Sequence, residues 1–260
     1  MLTGNNGRTA DTPYGCWLRF TQSVNTYRTV GDSALGQCAK KWYSASPSHP
    51  AAALLYSWSL TDDAAFKLRE QEREEGLARA LNVIQSSSAI HAGFASLDLT
   101  RMRAHSFLGH RAQVIESAND ALMKARGNRV LIAMAGSGLA LWNDPKGERI
   151  LSELVVGNER KLPAEHVGLF VAAMMHDNSD AAGVQLSGLE HTSPEQPMLL
   201  LLKAAYHART GQRTEAETLL RKLDQDHSVG MTGHDLLIDR LPMAPEVKAR
   251  LRSWLTTQPV

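Results

Sequence analysis

The sequence predicts an all-α protein, an array of antiparallel helix pairs closed by a C-terminal helix, and three observations carry that expectation. Apolar residues recur at helical spacing, and the Val and Ile positions fall on that spacing too, leaving few strand signals. Turn-forming residues interrupt the apolar runs at a constant interval. Helix-start signals stand at the joints between helices.

The clearest unit is "AYHARTGQRTEAETLLRKL", Ala205 to Leu223. Small residues lead into a glycine turn, and Thr214 with Glu217 then has the spacing of a capping box. Beyond it Ala216, Leu219, Leu220 and Leu223 share one helical face. Upstream, Ser193, Pro194 and Gln196 supply a cap, a first-turn proline and the capping-box partner, so a helix is expected from about Pro194 to Ala208.

Counting back from Gly211 in steps of 34 residues reaches Asp177, Asn143 and Gly109, each inside a stretch that reads independently as a turn. That interval is the period of tetratricopeptide repeats. The expected fold is therefore a tetratricopeptide-like superhelix of about six antiparallel helix pairs with a C-terminal capping helix. Close helix crossings call for small residues seven before and five after each turn marker. The first slot holds Ala204, Phe170, Gly136 and Met102; the second holds Ala216, Ala182, Glu148 and Val114. Four or five of the eight suit the slot, which makes the repeat degenerate, and the Glu148 misfit predicts a one-residue shift near Pro145 and Gly147.

Residues 1–12 read as a polar linker and residues 13–256 as the repeat domain. Near the N-terminus two helices flank a turn at Val30 to Asp32, and Pro47 and Pro50 precede another helix. The period loosens there, and the extra length is assigned to "DDAAFKLREQEREEGLARALNV", one long helix with Glu and Arg in solvent-exposed pairs. "SSS", Ser86 to Ser88, is placed at a boundary between helices. At the other end Pro242 and Pro245 break the period, and an amphipathic helix from Pro245 to about Trp254 fits the terminal cap that repeat arrays require.

The opening "PYGCWLRFTQSVNTYRTVGDSALGQCAKKWYSASPSHPAAALLYSWSL", the late stretch "LPAEHVGLFVAAMMHDNSDAAGVQLSGLEHTSPEQPMLLLLKAAYHARTGQRTEAETLLRKL" and the ending "LIDRLPMAPEVKARLRSWL" carry a resemblance. Together they resemble the tetratricopeptide-like region of bacterial winged-helix transcriptional regulators of the CadC and HilA kind, and of some class III adenylate cyclases. The resemblance implies a sensory or partner-binding arm that follows an output domain, and it carries over no catalytic residue.

Composition narrows the function classes. The chain is 43% hydrophobic and 21% charged with a formal net charge of +1, which suits a soluble globular protein and gives no bias toward nucleic acid or anionic membrane. No run approaches the ~18 apolar residues of a membrane span, and "MLTGNNGRTADTPYG" has no leader pattern. A cytoplasmic location is expected, or a periplasmic one if this is the C-terminal arm of a membrane-spanning regulator. Cys16 and Cys38 are placed at different heights on neighbouring helices, so two buried thiols in a reducing compartment are expected, with a disulfide left open.

Signals for chemistry are few. "AMAGSGLALW" lacks the strand, third glycine and Lys-Ser/Thr pair of a phosphate loop, so Gly136 and Gly138 are read as close helix contacts. Asp226, His227, His234 and Asp235, or Met174, Met175 and His176, show no ligand spacing of a recognised metal site. No nucleophile elbow occurs. The expectation is a chain that is not an enzyme and uses no metal or cofactor.

What remains is surface. Trp17 and Trp58 are read as core. The expected partner-binding set, on the inner wall formed by first helices, is Arg101, Arg103, His105, Lys203, Tyr206 and His207. A protein or peptide is the expected partner. A small-molecule effector that alters the curvature of the array and self-association into a scaffold are the alternatives.

Overall fold

The computed structural model describes residues 12–25, 33–65, 67, 69–156, 161–189, 197–225 and 234–256. Among them stand fourteen helices and no strand: α1 (Pro13–Asn25), α2 (Ser33–Ala45), α3 (Pro50–Ala65), α4 (Glu70–Ile90), α5 (Ala95–Leu108), α6 (Arg111–Lys124), α7 (Arg129–Leu141), α8 (Pro145–Val155), α9 (Pro163–Met175), α10 (Ser179–Leu189), α11 (Pro197–Arg209), α12 (Arg213–Gln225), α13 (His234–Arg240) and α14 (Pro245–Thr256). Consecutive helices pack side by side, α3 on α4, α5 on α6, α7 on α8, α9 on α10 and α11 on α12.

One turn, used four times, sets the spacing. Gly109, Asn143, Asp177 and Gly211 all adopt positive φ, at 76°, 52°, 56° and 81°. These are the residue types that enter the left-handed region at low cost, and in it they end a helix. The next backbone N–H then reaches back over the last turn: His110 to His105 O (3.0 Å), Asp144 to Leu139 O (2.9 Å), Asn178 to Ala173 O (2.9 Å) and Gln212 to His207 O (2.8 Å). These are the same Schellman bond in four pairs. As a result α5, α7, α9 and α11 begin 34 residues apart, and so do α6, α8, α10 and α12.

The close-packing slots follow that register. Met102, Phe170 and Ala204 are buried on the first helices, and Val114, Ala182 and Ala216 on the second. In α8 the buried face is turned by one residue, because Gly147 and Leu151 are buried while Glu148 is only partly buried. A Cβ on Gly147 would collide with the Ala140 amide nitrogen and stand 2.7 Å from Gly136 O. The two helices touch backbone to backbone, which is the shift the Glu148 misfit predicts.

Several expectations are corrected. The charged segment is two helices, with Asp62, Asp63, Ala64 and Ala65 ending α3 and Glu70 opening α4. The two fold onto each other where Gly76 lies against Ala64. Ser86 to Ser88 are inside α4 with Ser87 buried, and the joint lies later, where Phe94 N donates to His91 O. Cys16 and Cys38 are paired in a disulfide with Cα atoms 6.0 Å apart, because the offset between α1 and α2 brings the two residues level. The linker at 1–11, the turn at Val30 to Asp32, and Ser193, Pro194, Gln196, Asp226 and His227 lie outside the described residues.

The largest correction concerns the C-terminus. Instead of capping only the end of the array, α14 lies against the first helices α11 and α9. One continuous apolar core runs from Leu99 on α5 to Trp254 on α14 and includes Ile238, Leu241, Met243, Val247 and Leu251. A second core holds Cys16, Phe20, Leu35, Cys38, Leu54, Leu55 and Trp58 at the N-terminal end.

Candidate functional surface

The six residues expected to contact a partner fall into two groups, one on α5 and one on α11. On α5, Arg101 Nε donates to Ser117 Oγ at 2.9 Å, and its Nη2 reaches Asp120 Oδ2 at 2.6 Å. The same guanidinium lies 3.1 Å from buried Asp98, which also accepts from Lys124 Nζ at 2.8 Å. Arg103 pairs with the buried Asp62 carboxylate and places its guanidinium over Trp58 (4.8 Å) and Phe107 (5.1 Å). Helical spacing marks both arginines as half-exposed but cannot reveal the acids on the neighbouring helices. Arg101 ties α5 to α6, and Arg103 ties α5 to α3.

His105 stands beside His110, with Nδ1 atoms 3.3 Å apart. Burial, then the charge of His110 and of Arg101, pushes its pKa down to about 4, so it is neutral at pH 7. One pair of helices is thereby braced across its turn. At the equivalent turn in α11–α12, His207 Nδ1 meets Gln212 Oε1.

On α11, Tyr206 lies on the backbone of α10, where a Cβ on Gly183 would stand 2.5 Å from the phenol oxygen. Its ring meets His207 edge-on at 5.7 Å. Lys203, Tyr206 and His207 are all partly exposed. This trio is a connected patch, separated from the α5 group by two helix pairs.

The sequence reading missed how much of the first-helix face is already occupied. Ala244 N donates to Leu141 O at the end of α7 (3.0 Å), and Arg111 Nη1 reaches Glu246 Oε1 at 2.5 Å. Arg111, followed by weaker contributions that include an Asn143 hydrogen bond, holds the Glu246 carboxyl below its ordinary pKa. Trp254 Nε1 donates to Asp177 Oδ1 at 3.1 Å, and its ring meets Phe170 edge-on at 6.3 Å. Arg240 Nη1 reaches Glu70 Oε2 at 2.6 Å, at the start of α4. The C-terminal segment thus meets three of the four turn regions and packs on α9 and α11. Val247, Leu251 and Trp254, spaced for one helical face, were the available signal.

The opposite edge carries exposed apolar side chains. Ile90, Met123 and Val156 stand at or next to the C-terminal ends of three successive second helices and are 62%, 74% and 77% exposed.

Buried polar groups serve the fold. Glu165 is fully buried, accepts two bonds from Arg129 (2.9 and 2.8 Å) and one from Leu162 N (2.8 Å). His166 rests on Gly188 and contacts Gln185 Oε1 at 3.1 Å through its Nδ1. Desolvation lowers its pKa more than the Gln185 bond raises it. Among the described residues no three His, Cys, Asp or Glu side chains are grouped to hold a metal ion, and no helix is long and apolar enough to cross a membrane. Compared with family models, with curated proteins and with solved structures, the chain matches none.

Proposed function

We propose that this chain is a non-catalytic recognition module, a tetratricopeptide-type superhelix of about six helix pairs that serves as the sensory or partner-binding arm of a bacterial signalling or transcriptional regulator. The observation that supports this reading best is the turn repeated at Gly109, Asn143, Asp177 and Gly211, with one Schellman bond and one 34-residue interval throughout. A fold that repeats one hairpin has built surface at regular spacing, and recognition is what such surfaces serve. The partner is a protein or peptide, engaged at Lys203, Tyr206 and His207, the half-exposed aromatic and basic patch of α11. Arg101 and Arg103 are committed to ion pairs between helices, so they shape the wall instead of reading a ligand.

A photo-crosslinking residue at Lys203, incorporated into the full chain in its native cells, tests the reading. The expected result is a discrete protein adduct from position 203 and none from exposed Glu217 on α12. A protein adduct from Glu217 with none from Lys203 moves the interface to the second helices. Stabilisation of the pure protein by a metabolite, with no adduct at either position, replaces the protein partner with a small molecule.

A further inference from the structure

The first helix is attached differently from the rest. Of the ten α1 residues whose burial is described, Gly15, Cys16 and Phe20 are buried, while Tyr14 and Leu18 stand in solvent. Its main neighbours are α2 and α3. By contrast α9, of the same length, buries ten of its residues. A helix of 13 residues does not persist in water on propensity alone, so α1 depends on its few anchors.

One of those anchors is covalent. Cys16 and Cys38 are 22 residues apart in sequence, and their Cα separation of 6.0 Å is one a disulfide spans without moving the backbone. Both are at least nine-tenths buried, at 1% and 7% exposure, in the cluster formed with Phe20, Leu35, Ala39, Leu54 and Trp58. A reductant reaches sulfurs so placed only when α1 has already opened. Labile, regulatory disulfides are exposed or strained; this one is neither exposed nor at a hinge of the repeating array.

We propose that the Cys16–Cys38 bond is a structural latch completing the N-terminal end of the array, and that the chain therefore matures and works in an oxidising compartment. Stable disulfides are rare where thiol reductants prevail, which displaces the cytoplasmic expectation. The oxidant is the disulfide of a thiol–disulfide oxidoreductase. One protein thiolate attacks it to form a mixed disulfide, and the second thiolate then displaces the donor's sulfur. Two electrons pass to the donor, which leaves as a dithiol carrying the two protons lost from Cys16 and Cys38. Because both sulfurs end up inside, exchange precedes the docking of α1. None of this depends on the recognition reading.

Two measurements on the full chain decide it. Protein recovered from its native cells without reductant is denatured, treated with a thiol-alkylating reagent and weighed intact. The expected result is no added group before reduction and two after reduction and denaturation; two added before reduction overturns the compartment assignment. Hydrogen exchange of the oxidised chain is then compared with that of the Cys16→Ser, Cys38→Ser variant. Loss of a crosslink closing a loop of this length speeds exchange of α1 amides on the order of 100-fold, with α5 to α12 unchanged. Equal protection of α1 in both forms overturns the latch.

Discussion

Between Ala95 and Gln225 the chain uses one left-handed turn four times, whereas the described joints on either side, at 46–49, 91–94 and 241–244, use other turns. In the middle, each first helix stops at a left-handed residue, reverses within three residues and packs its partner through small or buried slots. At the N-terminal end a disulfide and an aromatic cluster hold α1. At the C-terminal end two helices leave the register and return across the first-helix face. Local repetition therefore gives spacing, while closure of the array comes from contacts between residues far apart in sequence.

The sharpest way to break this contrast is to remove the return contact. Trp254→Ala deletes a fully buried ring and its bond to Asp177, and should lower stability by about 3–5 kcal/mol in urea unfolding. A loss below about 1 kcal/mol would make α14 a peripheral cap after all.

Next in size is the backbone contact of α7 with α8. Gly147→Ala puts a methyl against Ala140 N and should cost about 2–3 kcal/mol. The same change at Gly93, in the irregular joint before α5, meets nothing within 4 Å and should stay within about 0.5 kcal/mol. Equal effects would deny that the regular stretch is the tightly fitted one.

The turn residues separate repetition from closure. Asn143→Gly keeps the left-handed turn and relieves its φ of 52°, which offsets the loss of its exposed bond to Glu246, so stability should stay within about 0.5 kcal/mol of the parent. Asp177→Gly also eases the turn but strands Trp254 Nε1 and Arg209, and should cost about 1–2 kcal/mol. Matched denaturation midpoints for the two variants would remove Asp177 from the closure.

The smallest effect is set by pH. His105 has a folded pKa near 4 against an ordinary 6.5, so the unfolded chain binds the extra proton. Its contribution is fully present above pH 6.5 and is lost as pH falls from there toward 4. The ring is partly solvated, which holds the loss to about 1 kcal/mol. Unfolding midpoints at pH 7 and pH 5 should converge in His105→Gln relative to the parent.

How much of this was legible follows the same divide. Gly211, Asp177, Asn143 and Gly109 could be found by counting because a left-handed turn restricts its residue types. Glu148 betrayed the rotation of α8 because a charge cannot occupy a close-packed slot. The ion pairs of Arg101 and Arg103 were not legible because spacing gives a helix face but not the acids that meet it, and Asp62 is 41 residues from Arg103. The level of Cys16 against Cys38 depends on how α1 and α2 slide past each other, which no local pattern records. Trp254 finds Asp177 across 77 residues.

Hydrogen exchange across the whole chain tests most directly the claim that the C-terminal segment closes the array. Amides of α14 should be protected as strongly as those of α9 and α11, and Trp254→Ala should release all three together. Fast exchange in α14 of the parent protein, with α9 and α11 still protected, would contradict the account and return that helix to the role of an end cap.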